Sequence, residues 1–177
     1  MSYDLNILCV NQEQSVDQFP EDLNIYVEAQ NKSKNEYPKY YDLYFHLMNS
    51  ISGIWYYLEK NKECWSSFEL CDICESGDVL YSERYPLKLK ELYPFWYDSK
   101  EEPDVDFLCL KEKYKEDVLK VMQFLIESSP VHQIVFLPKY QIAENVEFIY
   151  GTIGFTKFVD LLEDKKILFN TCYVIKE

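Results

Sequence analysis

The sequence predicts an α+β fold, and three observations carry that expectation. Strand-like and helix-like stretches are scattered along the chain without regular strand–helix alternation. Hydrophobic residues make up 47% and charged residues 28%, the balance of a chain that folds around a core. The 177 residues fit a single globular domain, residues 1–177, long enough to bury that core. The expected architecture is a mixed or antiparallel sheet with two main helices and a short C-terminal helix.

Residues 4–10, DLNILCV, predict a first strand, and 23–29, LNIYVEA, alternate apolar and polar as a second strand does. The polar, turn-rich NQEQSVDQFPED lies between them, and QNKSKNEYP (30–38) follows as a loop. Residues 39–60 predict the first main helix. Tyr40, Tyr44, Leu47, Met48, Ile51, Ile54, Trp55 and Leu58 recur at steps of three and four, which gathers them into one stripe. Residues 61–105 are irregular, and SSFELCDI suits either a strand or a short helix. From 105, VDFLCLK predicts a strand. A second helix is expected over about 112–127, with Tyr114, Val118, Val121, Met122 and Leu125 on one face and Pro130 beyond its end. QIVFLPK (133–139) predicts a strand. FIYGTI (148–153) is a strand or the lead-in to a short helix at about 155–163, whose Phe155, Phe158, Val159 and Leu162 share a face. Asp164-Lys165 marks a turn, and ILFNTCYVI (167–175) is the expected closing strand.

Charge and composition narrow the function. The formal net charge is −13, which repels nucleic acid and anionic membrane and favours a basic protein partner. Aromatic residues reach 17%, among them 16 Tyr and 3 Trp. Such side chains anchor protein interfaces because they bury a large area at low entropy cost. The amino terminus, MSYDLNILCV, has no basic region before its short apolar run and does not read as a signal peptide. No stretch approaches the ~18 apolar residues of a membrane span. The expected compartment is the cytoplasm, where the six cysteines stay reduced.

No motif announces catalysis. Cys71 and Cys74 form a single CxxC, whereas a structural zinc site needs four ligands. His46 and His132 lack ligand spacing to that pair, and acids beside it raise thiol pKa values. His46 sits within the aromatic stripe and His132 at a strand entrance. The glycines Gly53, Gly77, Gly151 and Gly154 form no phosphate loop. No enzyme activity, metal or cofactor is therefore expected. The one segment with a binding character is 94-PFWYDSKEEPDVD-106. Its candidate partner-binding residues are Trp96, Tyr97, Asp98, Glu101, Glu102, Asp104 and Asp106. The aromatics would supply anchors, and the acids would steer a basic partner.

The C-terminal third adds a resemblance. The pieces are 133-QIVFLPKYQ-141 and 148-FIYGTIGFTKFVDLLEDKKILFNTCYVI-175. An apolar strand ends near Gln141. A glycine-containing strand leads through Gly151 to a short helix with Phe158 and Leu162, and the last strand carries Phe169-Asn170 and Tyr173. This order resembles small cytosolic immunity proteins of bacterial polymorphic toxin systems. The resemblance covers about a quarter of the chain and brings no catalytic or contact residues with it. It implies an α+β protein that protects its own cell by binding a cognate toxin domain, a basic nuclease being the expected partner. The alternative readings are a small enzyme using Cys71, Cys74 or His46, and a regulatory or scaffold module with a nontoxic partner. Oligomeric state is left open.

Overall fold

The structure, a computed structural model, describes residues 2–30, 53–64, 66–74, 106–140 and 148–177. Its centre is a mixed six-stranded sheet in the order β2-β3-β1-β6-β8-β7. The strands are β1 (Tyr3–Val10), β2 (Tyr26–Gln30), β3 (Gly53–Glu59), β6 (Gln133–Tyr140), β7 (Phe148–Gly154) and β8 (Thr171–Lys176). All neighbours are antiparallel except β7 and β8, which run parallel and are joined by helix α2 (Phe155–Glu163). Parallel neighbours need such a crossover. A two-stranded ladder, β4 (Cys71–Ile73) with β5 (Leu108–Leu110), packs beside the sheet, and helix α1 (Glu112–Ser128) follows β5 directly. The α+β class is therefore the one the sequence predicts.

Alternation explains the core. Leu5, Ile7 and Cys9 of β1, Tyr56 and Leu58 of β3, Ile134 and Phe136 of β6, and Tyr173 and Ile175 of β8 point to one face. Against them lie Tyr114, Val118, Val121, Met122 and Leu125 of α1, the stripe the sequence predicts, and Phe158 and Leu162 of α2. Phe158 meets Phe136 edge-on, ring centroids 5.4 Å apart, and Tyr173 likewise at 5.9 Å. The opposite face of the central strands is buried too, through Leu8, Val10, Tyr57, Val135, Leu137, Cys172 and Val174. Burial on both sides is why these strands read as near-continuous apolar runs.

Three expectations are corrected. The helix expected over 39–60 ends in contradiction, because Gly53–Glu59 is strand β3; residues 39–52 lie outside the described residues. In GIWYYLE nearly every residue is apolar, so a helical stripe and a strand alternation fit equally well, and cross-strand pairing with β1 and β2 decides. Gly53 belongs to the strand for a steric reason: a Cβ there would stand 2.7 Å from Leu8 Cδ1 and 2.9 Å from the Cys9 carbonyl oxygen. The closing strand begins at Thr171, later than expected. Phe169 and Asn170 form a turn, with Asn170 at φ 54°, where asparagine is among the residues best tolerated. The second strand likewise starts at Tyr26 and not at 23, because Asn24 is tied to α1: its N–H and side-chain amide donate to the buried Asp117 carboxylate at 3.0 and 3.2 Å. SSFELCDI contains both alternatives, a 3₁₀ turn (Ser67–Glu69) and then β4.

Gly151 and Asn170, two positions of the C-terminal pattern, both act on the backbone. Gly151, at φ 107°, sits where the β7–β8 register shifts, a bulge that a side chain would strain. The Asn170 side chain accepts from Tyr140 N–H at 3.2 Å, and its own N–H donates to the Pro138 carbonyl at 2.7 Å.

Candidate functional site

Of the expected partner-binding residues, Trp96, Tyr97, Asp98, Glu101, Glu102 and Asp104 lie outside the described residues, as does His46. Asp106 is described, and it is a working part of the fold. Its carbonyl accepts from Phe169 N–H at 2.9 Å, and its half-buried carboxylate accepts from the Tyr140 hydroxyl. Tyr140 stacks on Phe169 with centroids 4.9 Å apart, and Tyr3 packs against both. Asp106 is thereby held at the end of the sheet where β1 and β8 begin and β3 and β6 finish. It is not the free outward acid that its sequence context suggests.

Further acids lie in β1, in the β1–β2 connection and in β2. Residues 2–30 contain Asp4, Glu13, Asp17, Glu21, Asp22 and Glu28 and no Lys or Arg. Glu13, Asp17, Glu21, Asp22 and Glu28 are exposed. The β1–β2 connection that bears four of them is fixed in place. Phe19 packs on Tyr56 and Phe124 at 5.6 and 5.4 Å, and Val16 N–H donates to the Tyr56 hydroxyl at 2.9 Å. Asn24 on Asp117 closes the far end. The connection is thereby tied to the sheet and to α1 and carries its acids into β2, with Lys120 of α1 near Asp22. A count of charge by segment was the signal that would have found these acids.

On the sheet face opposite α1, one cross-strand row holds two adjacent acids, Glu59 and Asp4, between Tyr26 and Lys139. Tyr26 pairs with Glu59, and Asp4 with Lys139, while the β1–β3 register that joins Leu5 to Leu58 carries on to Asp4 and Glu59. Glu28 pairs with Tyr57 in the next row, and the Tyr57 hydroxyl donates to Asp4 at 2.8 Å. Glu59 is only 4% exposed, and its carboxyl makes no hydrogen bond or ion pair among the described residues. Burial holds its carboxyl above the usual glutamate range, and the charges of Glu28 and then Asp4 add to the effect. A pKa raised by folding contributes stability that is complete below the unfolded value of about 4.3 and is lost as pH rises through the folded value. Glu59→Gln should therefore gain stability relative to the parent on going from pH 4 to pH 8, as read by urea unfolding at both. An equal difference at the two pH values would show that Glu59 titrates normally.

The cysteines have a different character. Cys71 and Cys74 are both buried, and all six cysteines are free thiols. Burial first, then the neighbouring Asp72, pushes Cys71 up to about 12. Burial, then the hydrogen bond and charge of Cys109, raises Cys74 to about 12 as well. Thiols so placed are poor nucleophiles and poor metal ligands. Among the described residues no group of three or more His, Cys, Asp or Glu side chains is arranged to hold a metal ion. Titration of the native protein at neutral pH with an aromatic disulfide should find only the half-buried Cys64 and Cys109 reactive, the other four responding after denaturation. A fast reaction at Cys71 or Cys74 would reopen a thiol chemistry. His132 stands at the entrance of β6, exposed, at φ 51°, with Nδ1 3.8 Å from a Glu177 carboxylate oxygen. No described helix is long and apolar enough to cross a membrane.

No family model, curated protein or solved structure matches the chain.

Proposed function

We propose that this chain is an immunity protein that binds a cognate secreted bacterial toxin domain and neutralises it by direct contact, without catalysis of its own. The observation that carries the reading is the distribution of charge. The net charge is −13, and five exposed acids of the first thirty residues are carried on β2 and on a connection tied to the sheet and α1, with no Lys or Arg in that stretch and Lys120 of α1 near Asp22. Fixed acids of this kind raise the encounter rate with a basic partner and disfavour acidic ones. A nuclease domain, itself basic because it must hold phosphates, is the partner this surface suits. The unreactive thiols at Cys71 and Cys74 weigh against a cysteine-based enzyme. The order of elements from β6 to β8 supports the reading through its likeness to immunity proteins. The site of action is the cytoplasm of the producing cell.

Co-expression tests this. The C-terminal domain of the protein encoded immediately upstream is expressed in a bacterial host with and without this chain, and growth is followed. Death alone, rescue together and co-purification of the pair are the expected results. Toxicity without rescue, or no toxicity, removes the proposal for that pair. With the complex in hand, neutralising Glu101, Glu102 and Asp104 together should slow association several-fold and flatten its salt dependence. Asp106 is left intact in that variant because Tyr140 depends on it. An unchanged rate would remove the 94–106 segment from the interface.

A further inference from the structure

The CxxC that the sequence displays is not a pair in the fold. Cys71 begins β4 and Cys74 follows its last residue, so three extended steps, about 10 Å of chain, separate them. Their side chains also turn to opposite faces of the ladder. Cys71 packs in the main core with Leu108 and Leu110, and Cys74 in a small separate cluster with Phe107 and Leu168. A disulfide needs α-carbons within about 7 Å, so Cys71 and Cys74 do not close one.

The ladder brings together Cys74 and Cys109 instead. Asp72 pairs with Cys109, and the Cys74 N–H, donating to the Phe107 carbonyl at 2.8 Å, carries the pairing one residue beyond Ile73. Cys74 therefore stands diagonally across from Cys109 on one face, and Cys109 packs against the cluster that holds Cys74. The Cys74 thiol donates a hydrogen bond to Cys109. Cys74 is buried and Cys109 half-buried, so one thiol of the contact is within reach of a small oxidant.

We propose that Cys74 and Cys109 close a reversible disulfide when the protein meets hydrogen peroxide. The Cys109 thiolate attacks one peroxide oxygen, the O–O bond breaks, and the departing hydroxide takes up a proton as water, leaving Cys109 as a sulfenic acid. The Cys74 sulfur then gives up its proton and attacks the Cys109 sulfur, expelling the hydroxyl group as a second water. Two thiols and one peroxide thus become one disulfide and two waters. Burial keeps Cys74 a slow nucleophile, and contact with its target offsets that slowness. The sulfenic acid adds a single oxygen atom and keeps the cluster closed, which a bulky aromatic adduct does not, so the peroxide product is the one Cys74 reaches. Diagonal neighbours start about 7–8 Å apart at their α-carbons, at the limit of disulfide reach, so closure draws in Cys74, which lies past the last ladder residue. The bond joins the ends of the chain between residues 74 and 109, which includes the 94–106 segment, and a dithiol reductant reopens it. No binding partner is needed for it.

The full chain is exposed to hydrogen peroxide, alkylated, digested without reduction and mapped by fragment mass spectrometry. The expected product is a Cys74–Cys109 link that has lost two hydrogens and disappears with dithiothreitol. Because the link closes a long loop, it should raise the midpoint of thermal unfolding by about 5–10 °C. Cys109→Ser should lose both the link and the rise, and Cys64→Ser, at the other half-buried thiol, should keep both. The parent chain alone decides the matter if Cys109→Ser does not fold. A link between any other pair, no reaction at Cys109, or Cys109 oxidised to a sulfinic acid with Cys74 still a thiol would each overturn the proposal. So would a linked protein that unfolds no higher than the reduced one.

Discussion

Replacing Ser67 by alanine is expected to cost about 2–4 kcal/mol of folding stability, more than its one lost oxygen suggests. Ser67 is completely buried. Its hydroxyl accepts from Leu5 N–H at 2.9 Å and donates to the Leu58 carbonyl, so it stands between two residues that are register partners in β1 and β3. Removing it leaves a backbone donor and a backbone acceptor in a site water does not reach. Each such orphan costs about 1–3 kcal/mol. Ser66 does similar work nearer the sheet's end, accepting from Tyr3 N–H and donating to the Tyr3 carbonyl. Urea unfolding gives the answer for Ser67→Ala. A loss under about 0.5 kcal/mol would mean that β1 and β3 close the gap and bond directly.

Phe136→Ala should be costlier still, about 3–5 kcal/mol, the range for truncating a buried phenylalanine. Phe136 is fully buried in β6, paired with Ile7 on one side and Tyr173 on the other. It is also the ring on which Phe158 of α2 rests. Its loss both opens a cavity in the sheet and loosens the crossover helix. Against a total stability of about 5–15 kcal/mol, that leaves little margin. Phe136→Leu should cost well under half as much, because most of the volume is kept. Phe68→Ala, at a residue 46% exposed, is the control and should fall within about 0.5 kcal/mol of the parent. If Phe136→Ala and Phe68→Ala behaved alike, Phe136 would not be the joint between α2 and the sheet.

How much of this was legible depends on how much local pattern each element carries. Helix α1 is amphipathic and stopped by Pro130, and it was readable to within a residue. Helix α2 was readable to both ends. β3 was not, because GIWYYLE offers apolar residues at every spacing and only its neighbours choose. Asn170 and Gly151, named in the C-terminal pattern, both prove to set backbone conformation, which no local periodicity announces. The candidate surface was legible in part. Total charge points to a basic partner, and the local concentration of acids beside aromatics is in 94–106. The acids between Asp4 and Glu28 are spread thinly, and it takes the fixed β1–β2 connection and the sheet register to gather them. Nor does any local feature reveal that Asp106 serves Tyr140, thirty-four residues away.

The place of β1 in the sheet has a consequence for how the molecule is made. Its neighbours are β3 and β6, and the second of these brings Leu5 against Pro138. On the ribosome, β1 must wait for the last quarter of these 177 residues before its second ladder can close. Pairings this distant in sequence close slowly, since the entropy of a long loop is lost before any contact offsets it. A chain stalled before residue 133 would hold an apolar strand, LNILCV, with one side unpaired, the kind of surface that chaperones shield and aggregates recruit. Speed of synthesis through that last quarter, as much as final stability, would then set how much working protein a cell obtains.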